Sequence, residues 1–181
     1  AYPSGPTAPD VWMLGSSDYG AQLAAHLGLP YAFAYFITEG QGVDHALNLY
    51  RSTYRPSERN PKPHATVCVW ALAADTEDEA WRVFESRLRW KMDRNTGRIG
   101  PLLPPEHAVR DYNASEQLAM AELRAGALVG SAPQVADRLN RLADRLQVDE
   151  VVVITWAHDP AAQARSYELL AQAFNLTTSP N

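Results

Sequence analysis

Four apolar runs punctuate the chain, at residues 11–14, 32–36, 65–73 and 151–156. Each is nearly continuous in hydrophobicity, not alternating, which is the pattern of strands covered on both faces. Behind each run, apolar residues recur at steps of three and four, the spacing of an amphipathic helix. Gly20, Leu23, Ala24 and Leu27 form one such stripe, which stops at Gly28, a residue suited to the left-handed turn beyond a helix. Val43, Leu47, Tyr50 and Tyr54 form a second, ending before Pro56. A third runs from Thr76 to about Asn95 through Ala80, Phe84 and Leu88, with Asp75 or Thr76 as its cap. Ala164, Tyr167, Ala171 and Phe174 form the last.

Between the third and fourth runs lies an insertion over residues 96–128. Its first part, residues 96–113, is rich in Gly, Pro and charge and reads as a long loop. A helix capped by Ser115 is expected to follow, to Leu128. A further helix starts at Gly130-Ser131-Ala132-Pro133. There Ser131 is the cap, and Pro133 sits in the first turn, where its missing N–H costs little. Val135, Leu139, Leu142 and Leu146 give that helix its buried face. Residues 1–10 mix Pro, Gly, Ser and Thr as a loop or linker does. The whole, residues 1–181, reads as four strand–helix units in series. Right-handed crossovers make such strands parallel, so the expected fold class is α/β.

Composition narrows the function classes. A chain of 181 residues with 46% hydrophobic and 20% charged residues suits one globular domain with a sizeable core. Its net charge of −5 offers no basic face for nucleic acid and no polybasic patch for a membrane surface. No apolar run approaches the length of a membrane span, and no signal peptide is visible. The one cysteine, Cys68, excludes an internal disulfide framework. It fits a reducing compartment, so a cytoplasmic location is expected. Cys68 lies inside an apolar run and reads as an inert core residue.

Candidate chemistry begins at the first strand. The run Val11-Trp12-Met13-Leu14 ends in Gly15-Ser16-Ser17 and turns at once into a helix. The first N–H groups of a helix have no partner within it, and the helix dipole adds positive charge there, so a phosphate satisfies both. Gly15 is expected to turn at positive φ and to clear the approach path of a Cβ. Ser16, Ser17 and Asp18 are all competent caps, and capping alone also accounts for them. Elsewhere the signals are weaker. His158, after the last strand, suits acid–base work or nothing beyond a loop. His26, His45, His64 and His107 have no metal-ligand spacing. Glu39 and Asp18 sit at strand exits without an acid–base partner. No P-loop, nucleophile elbow or dinucleotide glycine motif is present.

Taken together, five segments resemble the C-terminal half of the bacterial-luciferase-like flavin-dependent monooxygenases. They are Val11-Trp12-Met13-Leu14-Gly15-Ser16-Ser17 with Ala21-Gln22-Leu23-Ala24-Ala25, and Leu27-Gly28-Leu29-Pro30-Tyr31-Ala32-Phe33-Ala34. Ala73-Ala74-Asp75-Thr76-Glu77-Asp78-Glu79-Ala80, Val129-Gly130-Ser131-Ala132-Pro133 and Asp149-Glu150-Val151-Val152-Val153 complete the set. The resemblance spans nearly the whole chain in the family's order. It implies a (β/α)₈ TIM barrel, of which this chain supplies strands five to eight, with an insertion before the last. A complete barrel takes about 250 residues. The chain therefore reads as a fragment, inactive or nearly so alone, with an exposed apolar edge at its first strand. It is expected to pair with the missing N-terminal half or to self-associate.

The resemblance further implies that Gly15, Ser16 and Ser17, with Tyr19 and Gly20 adjacent, hold the FMN phosphate. Tyr19 either packs under the ribityl chain or faces a neighbouring helix. Tyr35 and Phe36, read as the end of the second strand, would line the flavin ring. Trp156 and Ala157-His158-Asp159 would border the substrate pocket. The implied reaction inserts oxygen into a small organic substrate, using reduced FMN from a separate flavin reductase. A deazaflavin serves a variant of this class, and Gly-Ser-Ser does not separate the two. No metal is expected; the catalytic residues are unassigned, since the resemblance places much of the flavin and substrate pocket in the missing half. Two other readings stay open: a non-catalytic doubly wound α/β domain binding a phosphorylated ligand, and a structural half-barrel that serves dimerisation.

Overall fold

The computed structural model describes residues 9–176. The expected leading loop over residues 1–10 lies outside them except for Pro9 and Asp10, which carry no regular structure. The chain divides into two compact units. One comprises residues 1–69 and 143–152, the other residues 70–142 and 153–181.

In the first unit, β1 (Met13–Gly15), β2 (Tyr31–Phe33) and the start of β3 (Ala65–Ala74) lie side by side in parallel. Tyr31 faces Met13 on one side and Ala65 on the other. The intervening helices are α1 (Asp18–Leu27) and α3 (Val43–Thr53). The buried face of α1 is made of Gly20, Ala21, Ala24 and Ala25, whereas the expected stripe member Leu27 is 51% exposed. Small residues win this face because they let α1 approach its neighbours closely. Helix α3 buries Val43, Leu47 and Tyr50, as its spacing predicts, and Ala46 with them, whereas the fourth expected member, Tyr54, lies just past its end and is half-buried. Gly28 ends α1 at φ 60°, and its carbonyl accepts bonds from Tyr54 Oη, Ser57 Oγ and Asn60 Nδ2.

Two expectations for this unit are corrected. The apolar run at residues 32–36 does not stay extended: the strand stops at Phe33, and Tyr35–Thr38 form a short helix, α2. Tyr35 and Phe36 therefore open a helix and do not end a strand. The first strand is not covered on both faces either. Val11, Trp12 and Leu14 are exposed, and among the described residues β1 pairs only with β2. The unit is closed from far along the chain. Arg51 donates to the carbonyls of Leu146 at 2.8 Å and Gln147 at 2.7 Å, and Arg145 pairs with Asp44 at 2.7 Å.

In the second unit, the end of β3 pairs in parallel with β4 (Leu128–Ser131), Ala71 facing Leu128 and Ala74 facing Ser131. Strand β4 is an addition to the expected four, since Leu128 reads as the end of one helix and Gly130-Ser131 as the start of the next. Strand β5 (Val151–Ile154) pairs with β3. Thr155, just beyond it, donates from its hydroxyl to the Ala71 carbonyl at 2.7 Å. Helix α4 (Glu77–Asn95) is capped by Thr76, whose hydroxyl accepts from the Glu79 N–H. It buries Ala80, Phe84 and Leu88 as predicted, and Arg87 beside them.

The insertion contains a short helix, α5 (Pro105–Ala108), and then α6 (Ala114–Ala125). Helix α6 is capped by Asn113, not Ser115, in a reciprocal box with Glu116, a pairing Ser115 has no partner to form. Helix α7 (Ala132–Leu146) follows β4 directly and buries Val135, Leu139, Leu142 and Leu146. Helix α8 (Pro160–Ala173) turns Ser166 and Leu170 inward, not the expected stripe, and leaves Tyr167 and Phe174 exposed. The reason is a polar anchor: the Ser166 hydroxyl accepts from the Ala73 N–H at 3.0 Å.

Candidate functional site

Gly15 ends β1, and three residues later α1 begins. Ser17 occupies the cap position with extended backbone, but its hydroxyl makes no bond to the helix it precedes. The first-turn N–H groups of α1 thus get no side-chain acceptor from Ser17, the arrangement that suits a ligand oxygen. Gly15 does not have the expected positive φ. Its small size is needed for another reason. A Cβ on Gly15 would lie 3.4 Å from the Gly20 Cα and 3.7 Å from the Tyr31 ring. Strand end and helix start are pressed together over that ring. The buried Tyr31 hydroxyl donates towards the carbonyls of Gly15 at 3.3 Å and Ser17 at 3.5 Å, so the loop is fixed from below. Burial, with Asp18 nearby, pushes the Tyr31 phenol up to about 12, so it stays a neutral donor.

The electrostatics are mixed. Asp18 places a carboxylate in the first turn of α1, where it competes with an incoming anion. That carboxylate lies 3.4 Å from Nε2 of His45 on α3, which offsets it when the imidazole is protonated. Ser16 is half-buried and Gly20 buried, whereas Tyr19 is 74% exposed. Tyr19 lines an open cleft of about 370 Å³ with Gln22, His26, Thr53 and Arg55. The structure therefore brings Gly15, Ser17 and Gly20 to one turn and sends Tyr19 outward.

Other candidates are dispersed. His64 lies edge-on to Trp12 at 4.8 Å, and His107 is in α5. Asp159 caps α8 through the Ala161 N–H, so its carboxylate is engaged in structure, and His158 beside it is exposed. Glu39 ends α2 in the left-handed conformation. No group of His, Cys, Asp and Glu able to hold a metal occurs among the described residues. Cys68 is half-buried, short of the core position expected for it, and partial burial, with Glu150 nearby, pushes its thiol up, which makes it a poor nucleophile.

A second cluster, in the other unit, is absent from the sequence reading. The Arg87 guanidinium lies over the Trp70 ring at 4.4 Å and near the Trp156 ring at 5.3 Å. Trp90 meets Trp156 edge-to-face at 5.9 Å, and Phe84 lies 5.4 Å from Trp70. An arginine in an amphipathic helix reads as a solvated position. The available signal was its place one turn beyond Phe84 and two beyond Ala80, on the apolar stripe itself.

Comparison with known proteins sets these residues in context. The profile of the luciferase-like monooxygenase family matches residues 2–150. The chain belongs to the luciferase-like monooxygenase family.

Within that family it is 38% identical over 160 residues to a luciferase-like monooxygenase of Escherichia coli (strain K12), covering 88% of this chain and 48% of the relative. The chain thus spans about half the length of the curated relatives it matches. Among solved structures, apo-MsnO8 is 33% identical with a TM-score of 0.83, over 98% of this chain and 55% of the other. The oxygenating constituent of 3,6-diketocamphane monooxygenase from a Pseudomonas putida plasmid, solved with FMN, shares the fold at 18% identity and a TM-score of 0.59, over 96% of this chain and 50% of that one. The likeness to these structures supports an α/β fold with a parallel sheet, and no helix among the described residues is long and apolar enough to cross a membrane.

Proposed function

We propose that this chain is the C-terminal half of a luciferase-like (β/α)₈ barrel that grips the phosphate of FMN through Gly15, Ser16, Ser17 and the first turn of α1. The observation that carries the reading is the Ser17 hydroxyl, which stands at the cap of α1 yet makes no bond to it. A ligand oxygen is the natural partner for both that hydroxyl and the helix N–H groups. Gly20 contributes by staying small, and Tyr19, pointing outward, lies at the margin. The residues fit a phosphate and leave the flavin ring to be held elsewhere.

Three further observations support the reading. In the first unit the parallel strands add in chain order, as in a barrel, without the reversal at which doubly wound sheets bind ligands. The chain spans half of its relatives. The exposed apolar edge of β1 suits pairing with preceding strands, or with a second copy. The relative solved with FMN favours FMN over a deazaflavin, though either carries a phosphate.

Reduced FMN would supply the chemistry that activates dioxygen. This chain would hold its phosphate, exclude water and orient a small organic substrate at the strand ends. A separate flavin reductase would provide the reduced cofactor, in the cytoplasm. The half-barrel alone would be inactive.

The test is FMN titration, followed by quenching of flavin fluorescence, on this chain and on the chain joined to an N-terminal half. Binding is expected in the joined form and lost on combined Ser16→Ala and Ser17→Ala substitution. Unchanged FMN affinity in that double variant would remove the phosphate assignment.

A further inference from the structure

The outward face of α1 holds polar groups that the phosphate turn does not use. Tyr19, Gln22, Leu23 and His26 line one side of the open cleft of about 370 Å³, and Thr53 and Arg55 line the other. Both sides belong to one compact unit. Pockets that take small ligands run from roughly 300 to 1,000 Å³, so the space is of ligand size. No carboxylate lines it. Among the described residues, the side chains of Tyr19, Gln22, His26 and Arg55 make no hydrogen bond and no ion pair.

The Arg55 backbone is fixed at the far end of α1, its N–H donating to the Ala25 carbonyl at 2.9 Å. The Ala24 and Ala25 carbonyls that end α1 are met by the N–H groups of Gly28, Leu29 and Arg55. The guanidinium is therefore not consumed in closing the helix. Tyr19, Gln22, Leu23 and His26 follow steps of three and four, so they share one face of α1. Tyr19 and His26 stand about 10 Å apart along its axis. Arg55, held at Ala25, lies at the His26 end. The cleft thus runs from an exposed phenol ring to a guanidinium and an imidazole. A guanidinium fork with a second N–H beside it suits the several oxygens of a phosphate. An exposed aromatic ring is a platform for a flat group, and a side-chain amide between the two ends can donate or accept.

We propose that this cleft is a binding site for a small phosphomonoester with a flat body, of the size of a nucleoside monophosphate. Arg55 and His26 receive the phosphate, the flat body lies on Tyr19, and Gln22 hydrogen-bonds to the part between. The site is separate from the turn at Gly15, Ser16 and Ser17 and does not rest on the flavin reading.

The experiment follows the Arg55 Nε–H and Gln22 side-chain amide signals of the ¹⁵N-labelled chain, with adenosine monophosphate as probe. Adenosine, flat without a phosphate, and inorganic phosphate, without a flat body, are the controls. Adenosine monophosphate is expected to move both signals with an affinity of about 1 mM or tighter, and both controls to bind more weakly. Arg55→Gln and Tyr19→Ala are each expected to lower its affinity roughly five-fold or more. Tyr19→Phe keeps the ring and should keep the affinity. Tyr19, Gln22 and Arg55 are exposed, so these variants should melt as the wild type does. Unmoved signals, equal binding of adenosine or of phosphate, or unchanged affinity in Arg55→Gln would overturn the site. FMN affinity, read separately by flavin fluorescence, should be the same in Arg55→Gln as in the wild type. A fall there would merge the cleft with the flavin site and overturn its separateness, whereas FMN binding unaffected by loss of Ser16 and Ser17 would remove the flavin reading alone.

Discussion

Gly15 at the end of β1 and Gly20 in the first turn of α1 touch through their backbones: a Cβ built on either lies 3.4 Å from the other's Cα. This contact sets how tightly the strand turns into the helix. Alanine at Gly15 meets only ordinary contacts and is expected to cost less than about 1 kcal/mol. Valine at the same place pushes α1 off the strand end and is expected to cost about 1–3 kcal/mol. Urea denaturation of the two variants gives both numbers.

Ser17 separates stability from binding. Its hydroxyl caps nothing in the helix it precedes. Ser17→Ala alone should therefore leave stability within about 0.5 kcal/mol, against the roughly 1 kcal/mol of an ordinary cap deletion. A full cap-sized loss on thermal melting would show that the hydroxyl serves the helix after all.

Tyr31 ties the loop from beneath. Removing its hydroxyl in Tyr31→Phe forfeits bonds to the Gly15 and Ser17 carbonyls and is expected to cost about 0.5–1.5 kcal/mol. Its folded pKa of about 12 lies above that of an unfolded tyrosine, near 10. The stability tied to this raised pKa is therefore complete below pH ~10 and lost as pH rises through about 12. A melting-temperature series across that range should fall more steeply for the wild type than for Tyr31→Phe.

Gly28 has no room for a side chain. It sits at φ 60°, and a Cβ there would lie 2.6 Å from the Arg55 carbonyl oxygen. Gly28→Ala adds left-handed strain of about 1–2 kcal/mol to that clash. The expected result is a marked drop in soluble yield and melting temperature, while Gly97→Ala, with nothing within 4 Å of its Cβ, suffers the strain alone.

The insertion is held by charge. Arg110 binds the Glu116 carboxylate at 2.7 and 3.1 Å, and the Asn113 N–H donates to it as well. Together they hold the carboxyl at about 2, the Arg110 bonds contributing most. An unfolded glutamate titrates near ~4.3. The stability that Glu116 lends is therefore whole above that value and lost as pH falls through about 2. Glu116→Gln should flatten the acid limb of the melting curve between pH ~4.3 and about pH 2, and an unchanged limb would contradict the pairing.

The long periodic helices were legible because their buried faces are apolar: α3, α4 and α7 lie where spacing puts them. Three features were not. Strand β4 is four residues ending in Gly-Ser, too short for periodicity and identical in composition to a helix start. Tyr35 and Phe36 have strand propensity, yet the chain coils there, with Gly40 packed against the Tyr35 ring. Helix α8 follows its polar anchor, Ser166, because a backbone N–H of β3 needs that acceptor. At the candidate site, the turn and its small residues were legible, but not the backbone angle of Gly15. The Arg87 cluster depends on aromatic residues far apart in sequence, which no local pattern joins.

The Arg51 bonds to the carbonyls of Leu146 and Gln147 carry a consequence for the timing of folding. During synthesis residues 9–69 emerge before the segment 143–152 that completes their unit, which arrives only after the entire stretch between them. At about 5–20 residues per second the wait is several seconds. Through that interval β1, β2 and α3 stand without their closing segment, so the ribosome-bound chain is a natural client for a chaperone that shields apolar surface.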